Sequence, residues 1–201
     1  MKVPMEKGLI NIPAEKTPFW ELYDLIYKSV PEGGRFIEIG TWFGHSAIYM
    51  ARKLRDGEKS FNFHCVDTFE GSYSGSRIQN TILEQYGGCV YDRFIDNMMT
   101  AGVRDNIGVV YKEPSLKASC HFADQSIDAV FIDAGHDTPE VLSDCLAWWP
   151  KLKSGGIFSG DDWQKGTVRE GIRLFQQAMP VCPDPQFFPV DRPRGWWIRK
   201  P

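Results

Sequence analysis

The stretch Arg35-Phe36-Ile37-Glu38-Ile39-Gly40-Thr41-Trp42-Phe43-Gly44-His45-Ser46 decides how the rest of the chain is read. Its first five residues form an apolar run with one inner acid, the length of a buried strand. Beyond Gly40 and Gly44 come Ala47, Met50, Ala51 and Leu54, which recur at i, i+3, i+4 and i+7 and share one helix face. Glycine lacks a Cβ, so the chain can turn sharply here and bring its backbone close to a ligand at the helix N-terminus. The spacing E-x-G-x-x-x-G is neither the G-x-G-x-x-G of dinucleotide sites nor a phosphate loop, because no G-K-S/T follows. An acid at the strand end would repel a pyrophosphate and suits a cationic or hydroxyl-bearing ligand.

Four more runs of the same kind follow: Phe61–Val66, Ile107–Tyr111, Ile127–Ile132 and Gly156–Ser159. Helical patterns alternate with them. Val141, Leu142, Cys145 and Leu146 share a face, and Val168, Ile172, Phe175 and Met179 share another. Thr81 with Glu84, and Thr167 with Glu170, have the spacing of capping boxes. Strand-helix alternation predicts a doubly wound α/β sandwich with a mostly parallel sheet and ligands beyond the carboxyl ends of its strands. At the C-terminus, Gln186–Val190 and Trp196–Arg199, joined through residues 191–195, predict an antiparallel hairpin that finishes the sheet.

The 201 residues contain no repeat and no low-complexity tract, so a single domain over 1–201 is expected. Residues 1–34 form an N-terminal extension and helix before the core. The polar, Gly-bearing stretch 68–90 is a candidate lid within a connection too long for one crossover. Lys and Arg total 23 against 26 Asp and Glu, a net charge of −3, which argues against a nucleic-acid partner or an acidic membrane surface. The five cysteines are odd in number and lack C-x-x-C spacing, which fits reduced thiols in the cytoplasm. No signal-like segment and no apolar run of about 18 residues occurs, so no membrane span is expected. Oligomeric state is not readable from the sequence.

Asp67 follows the second strand, where α/β nucleoside sites place a carboxylate that accepts the ribose hydroxyls. Together with Glu38 it describes a nucleoside that carries positive charge. Here the chain resembles class I S-adenosylmethionine-dependent methyltransferases over about residues 33–200, which implies a Rossmann-like fold. The resemblance implies that Glu38 and the turn residues Gly40, Thr41, Gly44 and Ser46 cradle the amino-acid part of S-adenosylmethionine. It likewise implies that Asp67 holds the ribose and that Glu113-Pro114-Ser115 lines the adenine, with Ser115 as a binding residue.

Two further segments, Ile132-Asp133-Ala134-Gly135-His136 and Gly160-Asp161-Asp162-Trp163, end the fourth and fifth strands. Adjacent parallel strands place both on one rim, where Asp133, Asp161 and Asp162 would repel one another unless a cation joins them. An all-oxygen site favours a hard divalent ion, Mg²⁺ first, with Ca²⁺ or Mn²⁺ as alternatives. With Ala147–Gly156 between them, these segments resemble the metal-dependent O-methyltransferases of macrolide sugars and their relatives. That likeness implies Asp133, Asp161 and Asp162 as metal ligands, Asp133 also at the cofactor, and His136 as the base. Those enzymes often have Glu-Asp where this chain has Asp161-Asp162. At an unperturbed pKa of about 6.5, His136 would suit proton abstraction near neutrality.

The expected activity is methyl transfer from S-adenosylmethionine, with divalent-metal assistance, to a hydroxyl of a sugar or other small polyol or diol. Metal-independent small-molecule methylation is the nearest alternative. A metal-dependent hydrolase would leave the glycine turn and Asp67 without a purpose, and a non-catalytic cofactor-binding module would leave the acidic trio without one. Trp42, Phe43, Tyr73 and Trp163 are candidates for ring stacking near the rim, although aromatic side chains there more often pack a core or lid. Trp148, Trp149, Trp196 and Trp197 are read as structural.

Overall fold

Within the strand Arg35–Ile39 (β1), Phe36 faces one side and Ile37 and Ile39 face the other, and each side is buried under a layer of helices. This two-sided burial explains why the strand reads as apolar almost throughout. The computed structural model describes residues 20–71, 77–179, 181–189 and 194–201. Tyr73, part of the candidate lid, most of the N-terminal extension and most of the hairpin connection lie outside them.

The sheet continues with Asn62–Asp67 (β2), Val110–Lys112 (β3), Ile127–Ile132 (β4), Leu152–Gly160 (β5), Gln186–Phe188 (β6) and Gly195–Arg199 (β7), in the order β3-β2-β1-β4-β5-β7-β6. β1 to β5 run parallel; β7 is antiparallel to β5, and β6 is antiparallel to β7. The expected parallel sheet with its terminal hairpin is therefore present. β7 inserts between β5 and β6, pairing Ser159 with Trp197 and Gly160 with Trp196.

One helical layer contains Trp20–Ser29 (α1), His45–Asp56 (α2), Arg77–Gln85 (α3) and Tyr91–Thr100 (α4), whose core includes Tyr23, Ala47, Met50, Leu83 and Phe94. The opposite layer contains Ser115–Ser119 (α5), Thr138–Trp148 (α6) and Gly166–Ala178 (α7), packed through Ala118, Val141, Cys145, Val168, Ile172 and Phe175. Trp148, Trp149 and Trp196 are buried in that second core. None of the five cysteines is bridged, and no described helix is long and apolar enough to cross a membrane.

Helix starts depart from expectation. Thr81 lies in the middle of α3, and α7 is capped at Lys165 with Thr167 already inside its first turn. The capping box belongs instead to Asp137 and Glu140 at the head of α6, where Glu140 accepts the Asp137 N–H at 3.3 Å. Entry into α7 is fixed over a longer range: Arg169 donates to the carbonyls of Trp163 and Gln164, and Thr138 donates to that of Thr167.

The chain leaves β1 for β2 and β3 on one side and then returns to β4 and β5 on the other. The crossover directions reverse between β1 and β4, and that reversal opens a crevice at their carboxyl ends.

Candidate active site

Gly40 directly follows β1 and Asp133 directly follows β4, and the two meet across the crevice. Gly40 donates to Val66 and Asp133 donates to Ile39, so the ladder extends one residue past the strands. At Gly40, φ is +86°, and a Cβ there would lie 2.1 Å from the Asp133 carbonyl oxygen. Gly44, also at φ +86°, caps α2 and would drive a Cβ into Met98 and Phe94. Both glycines serve close approach of chain to chain, and Gly40 also lines the crevice.

Two cavities open on this junction and share Gly40, Trp42, Gln79, Asp133 and Ala134. The first, about 310 Å³, is lined by Asp67, Thr68, Glu113, Pro114, Ser115 and Leu116 and by Ser143 and Asp144 on α6. The second, about 450 Å³, is walled by Thr41, Phe43, His45, Ser46, Ile82, His136, Asp161 and Arg194. Of the residues expected at the cofactor, Gly40, Asp67, Ser115 and Asp133 line the first cavity, and Thr41 and Ser46 line the second. Glu38 and Gly44 line neither.

Glu38 is fully buried beneath the turn. Its Oε1 accepts from Ser46 Oγ at 2.6 Å, and the Tyr23 hydroxyl from α1 lies on the same carboxyl. Burial pushes its pKa to about 8, which these hydrogen bonds only partly oppose. The raised pKa favours the protonated acid, which ties α2 to the sheet through Ser46 and α1 through Tyr23. Asp67 accepts the Trp42 N–H at 2.7 Å and the Phe69 N–H at 2.6 Å, which fixes both flanking loops. Burial raises its pKa against those backbone bonds. Trp42 and Phe69 both have positive φ, as does Asp162 after β5, so backbone strain gathers along this rim.

The acidic trio is arranged differently from expectation. Asp161 is buried and held by Arg194, whose Nε lies 3.1 Å from both carboxylate oxygens and whose Nη2 lies 2.9 Å from Oδ2. Asp162 accepts from Gln164 at 2.6 Å and from Lys165 at 2.6 Å. Part of the positive charge that was expected from a metal is thus supplied by the chain, and Asp161 does not join the others. The donor atoms within 4.8 Å of one another belong to Asp133, His136 and Asp162. This set fits a divalent cation, but with one imidazole among its donors it suits Mn²⁺ or Zn²⁺ at least as well as Mg²⁺.

His136 Nε2 lies 2.7 Å from Asp162 Oδ2 and 3.5 Å from Asp133 Oδ1. These carboxylates raise its pKa to about 9 against the effect of burial, so it is not the unperturbed histidine that was expected. Burial lifts Asp133 to about 6 despite His136 beside it. Burial also disfavours charge on Asp162, but His136 and Lys165 outweigh it and hold that carboxyl well below its usual range.

Trp42 lines both cavities and Phe43 the second, whereas Trp163 packs on Phe187 with ring centroids 4.6 Å apart and lines neither. Sequence reasoning missed Arg194, Gln79, His45 and Asp144. Arg194 stands 33 positions from Asp161, and only the pairing of β7 with β5 brings them together.

A family model described as a methyltransferase domain matches residues 37–163. No curated protein matches the sequence. Among solved structures, the fold is similar to the O-methyltransferase NovP, at 16% identity over 91% of this chain and 77% of that one, with a TM-score of 0.63. It is also similar to the O-methyltransferase TomG from Streptomyces achromogenes, involved in tomaymycin synthesis and solved with S-adenosylmethionine. That match has 16% identity over 92% and 80% of the two chains and a TM-score of 0.57. A putative rRNA methylase from Clostridium thermocellum matches at 13% identity over 92% and 97%, with a TM-score of 0.63. At these identities the likeness is one of fold.

The sheet order and the crevice at its switch point are those of a Rossmann-like, class I methyltransferase fold. The chain belongs to the methyltransferase-domain family and is an S-adenosylmethionine-dependent methyltransferase.

Proposed function

We propose that the chain transfers the methyl group of S-adenosylmethionine to a hydroxyl of a small molecule, of the sugar, polyol or diol class. The observation that carries this reading is the meeting of the two cavities at Gly40, Asp133 and Ala134. The first would take the nucleoside, with Asp67 at the ribose and Ser115 toward the adenine. The amino-acid arm would cross Gly40 toward Thr41 and Ser46. The sulfonium methyl would then face the second cavity, beside Asp133 and His136.

In-line attack forms the new O–CH₃ bond as the S–CH₃ bond breaks, and the hydroxyl proton must leave. His136 is the group placed to receive it. Alone, its raised pKa keeps it protonated at neutral pH. A sulfonium cation arriving near Asp133 disfavours the imidazolium and moves His136 toward the neutral base that the reaction needs. A small acceptor fits the cavity of about 450 Å³ and the net charge of −3 better than RNA does, although the C. thermocellum protein of similar fold is a putative rRNA methylase.

A second reading is favoured by the donor cluster: Asp133, His136 and Asp162 hold a divalent cation. Such a cation, when bound, lowers the pKa of a hydroxyl that it touches. Formation of S-adenosylhomocysteine is the assay, run with hydroxylated small molecules and with RNA, before and after EDTA and after readdition of Mg²⁺ or Mn²⁺. His136→Ala should lower turnover at least about 100-fold while cofactor affinity stays within about twofold. Turnover with RNA alone would overturn the acceptor class. Turnover indifferent to EDTA would remove the cation.

A further inference from the structure

The two charges of the Arg194–Asp161 pair lie at different depths in the wall of the second cavity. The Asp161 side chain is 2% exposed, whereas that of Arg194 is 49% exposed. Arg194 turns its Nε and Nη2 edge to the carboxylate, which fixes the plane of the guanidinium. The accessible end of this ion pair is therefore the positive one.

The other ionisable groups on that wall are Asp133, His136 and His45. Asp133 has His136 Nε2 at 3.5 Å, and burial shifts His45 toward its neutral form. Each acid of the wall thus stands beside a basic group. More cations flank Arg194: its carbonyl accepts the Trp163 N–H at 2.8 Å, and the Trp163 carbonyl accepts from Arg169, an exposed residue of α7. Lys165, at the α7 cap, is 2.6 Å from Asp162 and also exposed.

We propose that Arg194 receives an oxyanion carried by the methyl acceptor, a phosphate or a carboxylate, so that the acceptor is an acidic sugar or polyol rather than a neutral one. A guanidinium keeps its charge at every working pH, and its planar array of donors matches both oxyanions. Asp161 supplies the orientation from behind, so little side-chain freedom is lost when the anion docks. The inference rests on the second cavity being the acceptor site.

The test uses three sugars that differ in charge: glucose, glucuronate and glucose 1-phosphate. Each is titrated by ligand-observed NMR into the whole chain saturated with S-adenosylhomocysteine. At least one of the two anionic sugars should bind about 10-fold more tightly than glucose, and added salt should shrink that preference. Whether glucuronate or glucose 1-phosphate gains more distinguishes carboxylate from phosphate. Arg194→Gln alone would strand a buried carboxylate, so the deciding variant combines it with Asp161→Asn. That double variant should fold, retain S-adenosylhomocysteine and bind all three sugars within about threefold of one another. Asp161→Asn alone keeps the guanidinium and should keep the preference. Equal binding of the three sugars by the wild type, or binding of none, would overturn the role of Arg194 and leave the cofactor cavity standing. A preference preserved in the double variant would do the same. Failure of the wild type to bind S-adenosylhomocysteine would overturn the cavity assignment itself and this inference with it.

Discussion

Replacing Glu38 with Gln tests the claim that this carboxyl is neutral in the folded protein. Its folded pKa of about 8 exceeds the ordinary 4.5, so the contribution from holding the proton is full below pH 4.5 and is lost as pH rises through 8. Over that window the unfolded chain has released the proton while the folded chain retains it. At 1.36 kcal/mol per unit, ionisation in the unfolded state disfavours the wild-type fold by about 5 kcal/mol once pH exceeds 8. Gln cannot ionise, and its amide oxygen can still accept from Ser46 Oγ. The variant should therefore gain stability relative to wild type by about 3 kcal/mol between pH 5 and pH 7.5, whatever the constant difference in packing. For a chain of this size that is a relative Tm rise of about 6–12 °C. Chemical denaturation of both proteins at several pH values measures it. A stability difference that stays flat with pH would mean that Glu38 is ionised in the fold, and the reasoning would fail.

Two further substitutions test the rim. Gly40→Ala should cost at least about 3 kcal/mol or prevent folding, because its Cβ meets backbone at Asp133 and φ is +86°; urea unfolding within 1 kcal/mol of wild type would refute that close approach. Arg194→Met leaves the buried Asp161 carboxylate without its fork. It should cost about 2 kcal/mol, less than for a fully buried pair because the Arg194 side chain is 49% exposed. Arg194→Lys should recover only part of that in the same measurement, and full recovery would show that charge alone, not the bidentate geometry, matters.

Much of the site was legible locally. Asp67 and Asp133 each directly follow an apolar run and His136 stands three positions past Asp133, and a strand end is a place that a run of side chains can announce. The hairpin was legible for the same reason, since its two runs alternate with turn residues between them. Thr81 and Thr167 misled because a four-residue spacing recurs by chance, whereas the start of α7 depends on Arg169 reaching back to carbonyls in the preceding loop.

The sequence alone determined the alternation of strand and helix, the glycine turn and the set of acids at the strand ends, because these depend on residue type and on spacings of a few positions. Only the tertiary structure decided what each acid does. The pKa of Glu38 is raised because α1 and α2 close over it. Asp161 is paired because β7 carries Arg194 to the end of β5, and Asp144 reaches the cavity because α6 packs beside α5. Charge state and partnership depend on burial and on contacts between distant segments, and those exist only once the sheet has ordered its strands.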